Sequence, residues 1–129
     1  MPSCPTGKGR RPRLLPAFLL LLLAEGEKYG AELVGAFEVF TAPWPADRGA
    51  VYRCLRDLEE SGQVASRWEP GAGGPPRHVY RITRTGRAAL ALWNEEIAIR
   101  RRNLARFTRR YRQLGRQPAP PDPHLEDKT

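Results

Sequence analysis

The 129-residue chain has little of what protein chemistry at a site usually requires. It holds two cysteines, two histidines and one methionine. Cys4 sits in a Pro/Gly/basic leader and Cys54 inside an amphipathic segment. Neither has a Cys or His neighbour at metal-ligand spacing. Nothing in this argues for a disulfide framework, and a reducing cytoplasm is the expected compartment. His124 lies near the C-terminus, and His78 lies in a strand-like run without a Cys or acidic arrangement beside it. The chain shows no phosphate loop, nucleophile elbow or metal spacing. No catalytic residue, metal or cofactor is therefore assigned, and an enzyme is not expected. Long hydrophobic runs are also scarce. The apolar run Leu14–Ala24 follows Lys8, Arg10, Arg11 and Arg13 and has the look of a signal peptide. It is too short to span a bilayer as a helix, and Leu22 stands where a cleavage site needs a small residue. We read it as a buried first helix and expect no membrane partner.

Positive charge is abundant. Lys and Arg outnumber Asp and Glu 22 to 14, a formal net charge of +8. Such a balance suits a polyanion, nucleic acid before a membrane surface. Nearly all the cations are Arg, which a GC-rich genome also produces, so their placement has to decide.

Residues 1–13 read as a flexible basic arm. Pro16 suits the first turn of a helix running to Ala24. Glu25–Lys28 reads as a turn. A second helix covers Tyr29–Phe40 with a Leu33, Phe37, Phe40 stripe, and Gly30 allows another helix to approach closely. Pro43 and Pro45 then make a rigid loop over Thr41–Ala46, where Trp44 is expected to cover the core. Asp47 is a good N-cap for a third helix, which Gly62 ends. Its apolar seam is Val51, Leu55 and Leu58. Two strands, Val64–Glu69 and Arg77–Thr83, flank a Gly/Pro loop at Pro70–Pro76 and form a hairpin.

A long helix, Gly86–Leu114, is expected to start at a Thr85 cap. Leu90, Trp93, Ile97, Leu104, Phe107 and Tyr111 follow alternating 3-and-4 spacing, broken at Arg100. Such a seam packs against another helix, so these six residues are the candidate dimer interface of a homodimer. Residues 115–129 are Pro-rich and polar and read as a disordered tail.

The fold class is therefore mainly α with a small β-hairpin. A winged helix-turn-helix domain over 14–85 is followed by a C-terminal dimerisation helix over 86–114. The third helix is the expected DNA reader. Arg48, Arg53 and Arg56 can reach phosphates or guanine edges, Tyr52 a thymine methyl or a phosphate, and Gly49 with Ala50 leave room for the duplex. Arg77, at the hairpin edge, is placed near a minor groove or phosphate.

Four segments carry a family resemblance: Leu19–Leu33, Arg48–Gly62, Val64–Pro70 and Gly74–Gly86. A G-x-[LV]-Y pattern followed by L, L-E and G falls on Gly49, Val51, Tyr52, Leu55, Leu58, Glu59 and Gly62. A Y-x-[LI]-T-x-x-G pattern falls on Tyr80, Ile82, Thr83 and Gly86. On these the chain resembles the PadR family of bacterial regulators. It departs from the family at Tyr29-Gly30-Ala31, usually His-Gly-Tyr, and at Arg53, often Pro. The resemblance implies a homodimer on double-stranded DNA, held by the C-terminal helix, that represses promoters. It also implies release by a small aromatic or hydrophobic effector, for which Trp93 is the candidate. Two other readings stay open. One is a protein-interaction module whose basic stretch, Arg100–Arg102, Arg106, Arg109, Arg110 and Arg112, binds an acidic partner. The other is a secreted or membrane-bound basic peptide.

Overall fold

The computed structural model describes residues 14–116. The expectations for the basic arm and for the tail lie outside them, apart from Gly115 and Arg116, which follow the last helix in a turn. The element order is α1 (Leu15–Ala24), β1 (Lys28–Tyr29), α2 (Gly30–Thr41), α3 (Arg48–Glu60), β2 (Val64–Gly71), β3 (Gly74–Ile82) and α4 (Arg84–Leu114). The strands form one antiparallel sheet in the order β1-β3-β2.

Two bodies are distinguished, residues 14–94 and residues 95–116 of the described chain. In the first, α1 is nearly all apolar and is buried almost all round, with Leu15, Leu19, Leu20 and Leu23 in the core, Leu21 exposed and Phe18 and Ala24 partly so. The apolar run that mimics a signal sequence thus becomes the centre of the domain. Leu33, Val34 and Phe37 of α2, Val51, Leu55 and Leu58 of α3, and Val64 and Ile82 of the sheet close around it. No described helix is long and apolar enough to cross a membrane.

Local chemistry sets the ends of α3. The Asp47 carboxylate accepts the Ala50 N–H at 3.1 Å, satisfying one of the donors that a helix start leaves open. At the other end the Gln63 N–H donates to the Leu58 carbonyl at 2.8 Å and the Gly62 N–H to that of Glu59. Gly62 takes φ +79°, and together these make a Schellman stop.

Four expectations are corrected. The turn covers only Glu25–Glu27, because Lys28 and the expected first helical residue Tyr29 form β1, pairing with Tyr80 and Val79. The Pro70–Pro76 loop is mostly strand: Gly71 still pairs with Gly74 past an irregularity after Glu69, leaving only Ala72 and Gly73 at the tip. Trp44 does not cover the core but is 72% exposed. The helix cap is Thr83, not Thr85. The Thr83 hydroxyl accepts the Gly86 N–H at 3.1 Å and donates to the Gly62 carbonyl at 2.6 Å. That bond ties the start of α4 to the end of α3. A Cβ on Gly86 would overlap the Gln63 carbonyl oxygen there, so the position accepts only glycine without a backbone shift.

Candidate nucleic-acid interface

The sequence of α3 divides cleanly between inside and outside. Ala50, Val51, Cys54, Leu55 and Leu58 are buried. Arg48, Gly49, Arg53 and Arg56 are exposed together on the opposite side, with Asp57, Glu59 and Glu60. The buried sector is wider than the Val51, Leu55, Leu58 seam and includes Ala50, which faces the core and is not available to a duplex. Tyr52 lies at the boundary. Its ring rests against Gly30, so closely that a Cβ there would meet the Tyr52 hydroxyl and ring carbons. Tyr52 is half-buried and packs on the core edge. The close approach expected at Gly30 is therefore made by the tyrosine of α3.

Tyr52 and Arg77 meet at one cleft. It has a volume of about 390 Å³ and is lined by Tyr29, Gly30, Glu32, Tyr52, Arg77 and His78. At its rim the Glu32 carboxylate accepts the Tyr29 N–H at 2.8 Å. The Arg77 guanidinium lies over the Tyr29 ring, 4.8 Å from its centre, a cation–π contact that orients the group and leaves its edge donors outward. Of the six residues expected to touch DNA, four share the outer face of α3, and two converge on this cleft.

The hairpin carries two networks that pattern reading missed. On one face, Ser66 pairs with Tyr80 and Trp68 with His78. The Ser66 hydroxyl donates to the Glu59 carboxylate of α3 at 2.6 Å. Its proton being used there, it must accept from His78 Nε2, 2.8 Å away. His78 Nδ1 lies 3.1 Å from the Tyr80 hydroxyl, and Trp68 stacks on the imidazole at 4.3 Å with 15° between the rings. Burial, and after it the nearby Glu59 charge, raises the Tyr80 pKa above its ordinary value. His78 is thus a structural link between wing and reader helix. The available signal was the two-residue alternation of polar and aromatic side chains on facing strands.

On the other face, Arg67 bonds Glu27 at 2.9 Å and Glu69 at 2.7 Å. The Arg67 hydrogen bond holds the Glu27 carboxyl below its ordinary pKa. All three groups are well exposed, so the network contributes little stability. Its effect is to withdraw Arg67 from other anions.

Along α4, Leu90 and Trp93 are half-buried and pack against the core of the first body. In the second body Leu104, Phe107, Tyr111 and Leu114 are each about two-thirds exposed. Ile97 is half-buried. Arg100 bonds Glu96 one turn earlier at 2.6 Å.

The model of the transcriptional regulator PadR-like family matches residues 19–92. The chain belongs to that family. Its match runs from α1 into the first third of α4 and includes both carrying motifs. This PadR-like chain is 35% identical over 83 residues to the probable transcriptional regulator Rv1176c of Mycobacterium tuberculosis, covering 64% of the chain and 44% of that relative. The chain thus spans less than half the length of the curated relative it matches. Among solved structures, a potential transcriptional factor, TM0937, superposes with a TM-score of 0.71 at 31% identity, over 88% of this chain and 100% of that one. Bacillus subtilis PadR, solved with operator DNA, superposes with a TM-score of 0.57 at 26% identity, over 63% of this chain and 45% of that one. The chain thus has the winged-helix fold of the PadR-like family, whose description is that of transcriptional regulators.

Proposed function

We propose that the protein is a sequence-specific DNA-binding repressor that acts in the cytoplasm as a homodimer and is released by a small aromatic or hydrophobic effector. The observation that carries this reading is the outer face of α3, where Arg48, Gly49, Arg53 and Arg56 stand exposed together beside the Tyr52–Arg77 cleft. The frame is similar to that of Bacillus subtilis PadR, a protein solved on operator DNA.

In this reading residues 14–85 form the DNA-binding domain and 86–114 the dimerisation helix. Each protomer inserts α3 into a major groove, with half-site centres about 10 bp apart. Arg53 and Arg56 read guanine edges or hold phosphates. Arg77, oriented by Tyr29, binds backbone near the wing, and Tyr52 supports the reader against Gly30 while offering its hydroxyl. The dimer closes through the seam of Leu90, Trp93, Ile97, Leu104, Phe107 and Tyr111. Its C-terminal members, Leu104, Phe107 and Tyr111, are among the large apolar side chains that a single chain leaves exposed. Trp93, half-buried at the edge of the core, is the candidate effector contact.

Selection of bound duplexes from a random pool, followed by footprinting, tests the reading. A dyad-symmetric site is expected. Arg53→Ala and Arg56→Ala should each cost about 1–3 kcal/mol in affinity, confined to particular base positions if they read bases and uniform over all sequences if they hold phosphates. Binding that enriches no sequence would defeat the proposal.

A further inference from the structure

Charge is distributed unevenly between the two bodies. Residues 14–94 hold nine Lys/Arg and nine Asp/Glu, so the described part of the winged-helix body is formally neutral, while residues 1–13 add Lys8, Arg10, Arg11 and Arg13 to the sequence. Residues 95–116 hold eight Arg against Glu95 and Glu96, a net of +6. Within that stretch Arg100 is the one arginine paired with a carboxylate among the described residues, and no acidic residue follows Glu96 there. At 100° per residue, Leu104, Phe107, Tyr111 and Leu114 fall on one side of the helix. Arg102, Arg106 and Arg109 fall on the opposite side, all exposed. Arg102, Arg106 and Arg110 repeat every four residues, a spacing at which like charges repel.

Attraction to the phosphate backbone supplies nearly all sequence-independent affinity for DNA, and it scales with the number of phosphates neutralised. Residues 14–94, whose cations and anions cancel and whose Arg67 is held between two carboxylates, supply little of it beyond the exposed arginines of α3 and Arg77. We infer that the C-terminal half of α4 is a second, sequence-independent binding face for double-stranded DNA, with Arg102, Arg106 and Arg109 as its phosphate contacts. The choice of DNA as occupant rests on the proposed reading of α3. The cations are arginines, whose planar forks match phosphate oxygens in pairs. They stand opposite the apolar stripe, so a second copy seated on the stripe leaves the basic face open. An anionic membrane would instead need the stripe itself.

The test uses the full-length chain and the variant Arg102→Gln/Arg106→Gln/Arg109→Gln. Gln has a helix propensity close to that of Arg, and the apolar stripe is untouched. Circular dichroism and sedimentation should show helix content and self-association unchanged. Affinity for a random 30-bp duplex is then measured over a range of salt, beside affinity for a sequence selected with the unaltered protein. The variant should lose affinity for both duplexes by the same factor, on the order of tenfold or more at 0.1 M salt. Its log–log salt slope should fall by about 2–3 for each protomer whose basic face engages the duplex. An unchanged slope with sequence selection intact overturns this inference and leaves the proposed function standing. A lost slope in a protein that selects no sequence upholds the inference and removes the sequence-specific reading. Stronger binding of the unaltered protein to phosphatidylglycerol vesicles than to duplex, abolished in the variant, overturns DNA as the occupant.

Discussion

Between residues 14 and 94, nine basic side chains offset nine acidic ones, and leucines from α1, α2 and α3 disappear into a shared core. Between 95 and 116, eight arginines stand against two glutamates, and Leu104, Phe107, Tyr111 and Leu114 lie mostly in water. The first stretch has the burial that fixes a shape and no excess charge. The second has the charge and an apolar stripe but buries little of its own. Shape complementarity and long-range attraction are separable requirements for reading DNA, and the proposed reading assigns much of each to a different length of this sequence.

The comparison breaks hardest at the core. Leu55 is fully buried beneath the reader face, so Leu55→Ala should lower the unfolding free energy by about 2–5 kcal/mol, measured by urea denaturation. The matching truncation in the second body, Leu104→Ala, should change unfolding of the winged-helix body by less than about 0.5 kcal/mol while weakening self-association in sedimentation. Next comes Gly86, where a methyl group would overlap the Gln63 carbonyl. Gly86→Ala should cost about 1–3 kcal/mol, read as a fall in Tm. Removing the α3 cap with Asp47→Ala should cost about 1 kcal/mol. The smallest effect sharpens the electrostatic side of the comparison. The Glu27 carboxyl is held low by Arg67, so its contribution is present above the unfolded carboxylate range and fades as pH falls through the folded value. Glu27→Gln should lower Tm slightly at neutral pH and not at all in acid.

Features built from near neighbours were legible in the sequence. Asp47, the Val51–Leu55–Leu58 seam and Gly62 act within a few residues of one another, and each stands in the structure as the helical period predicts. Features built across the chain were not. β1 is two residues whose partners lie some fifty positions away, one expected at the end of a turn and the other at the start of a helix. Gly71, Gly74, Pro75 and Pro76 have loop chemistry, yet the hairpin register carries them into strands. Ala50 changed role because the buried sector of α3 extends around Ala50 and Cys54, while the ring of Tyr52 rests against Gly30, a contact between residues far apart in the chain. Ser66, Trp68, His78 and Tyr80 form a network only once the strands pair. The exposed arginines of α3 were found because an outward cation on an amphipathic helix follows from period alone. The Tyr29 ring beneath Arg77 could not be found that way.

The central claim is that the outer face of α3 reads DNA sequence. Its most direct measurement is selection from random duplexes with the unaltered protein and with Arg53→Ala in parallel. The account predicts a dyad-symmetric consensus for the first and, for the second, weakened binding to that site. The same unordered pool from both proteins would contradict it.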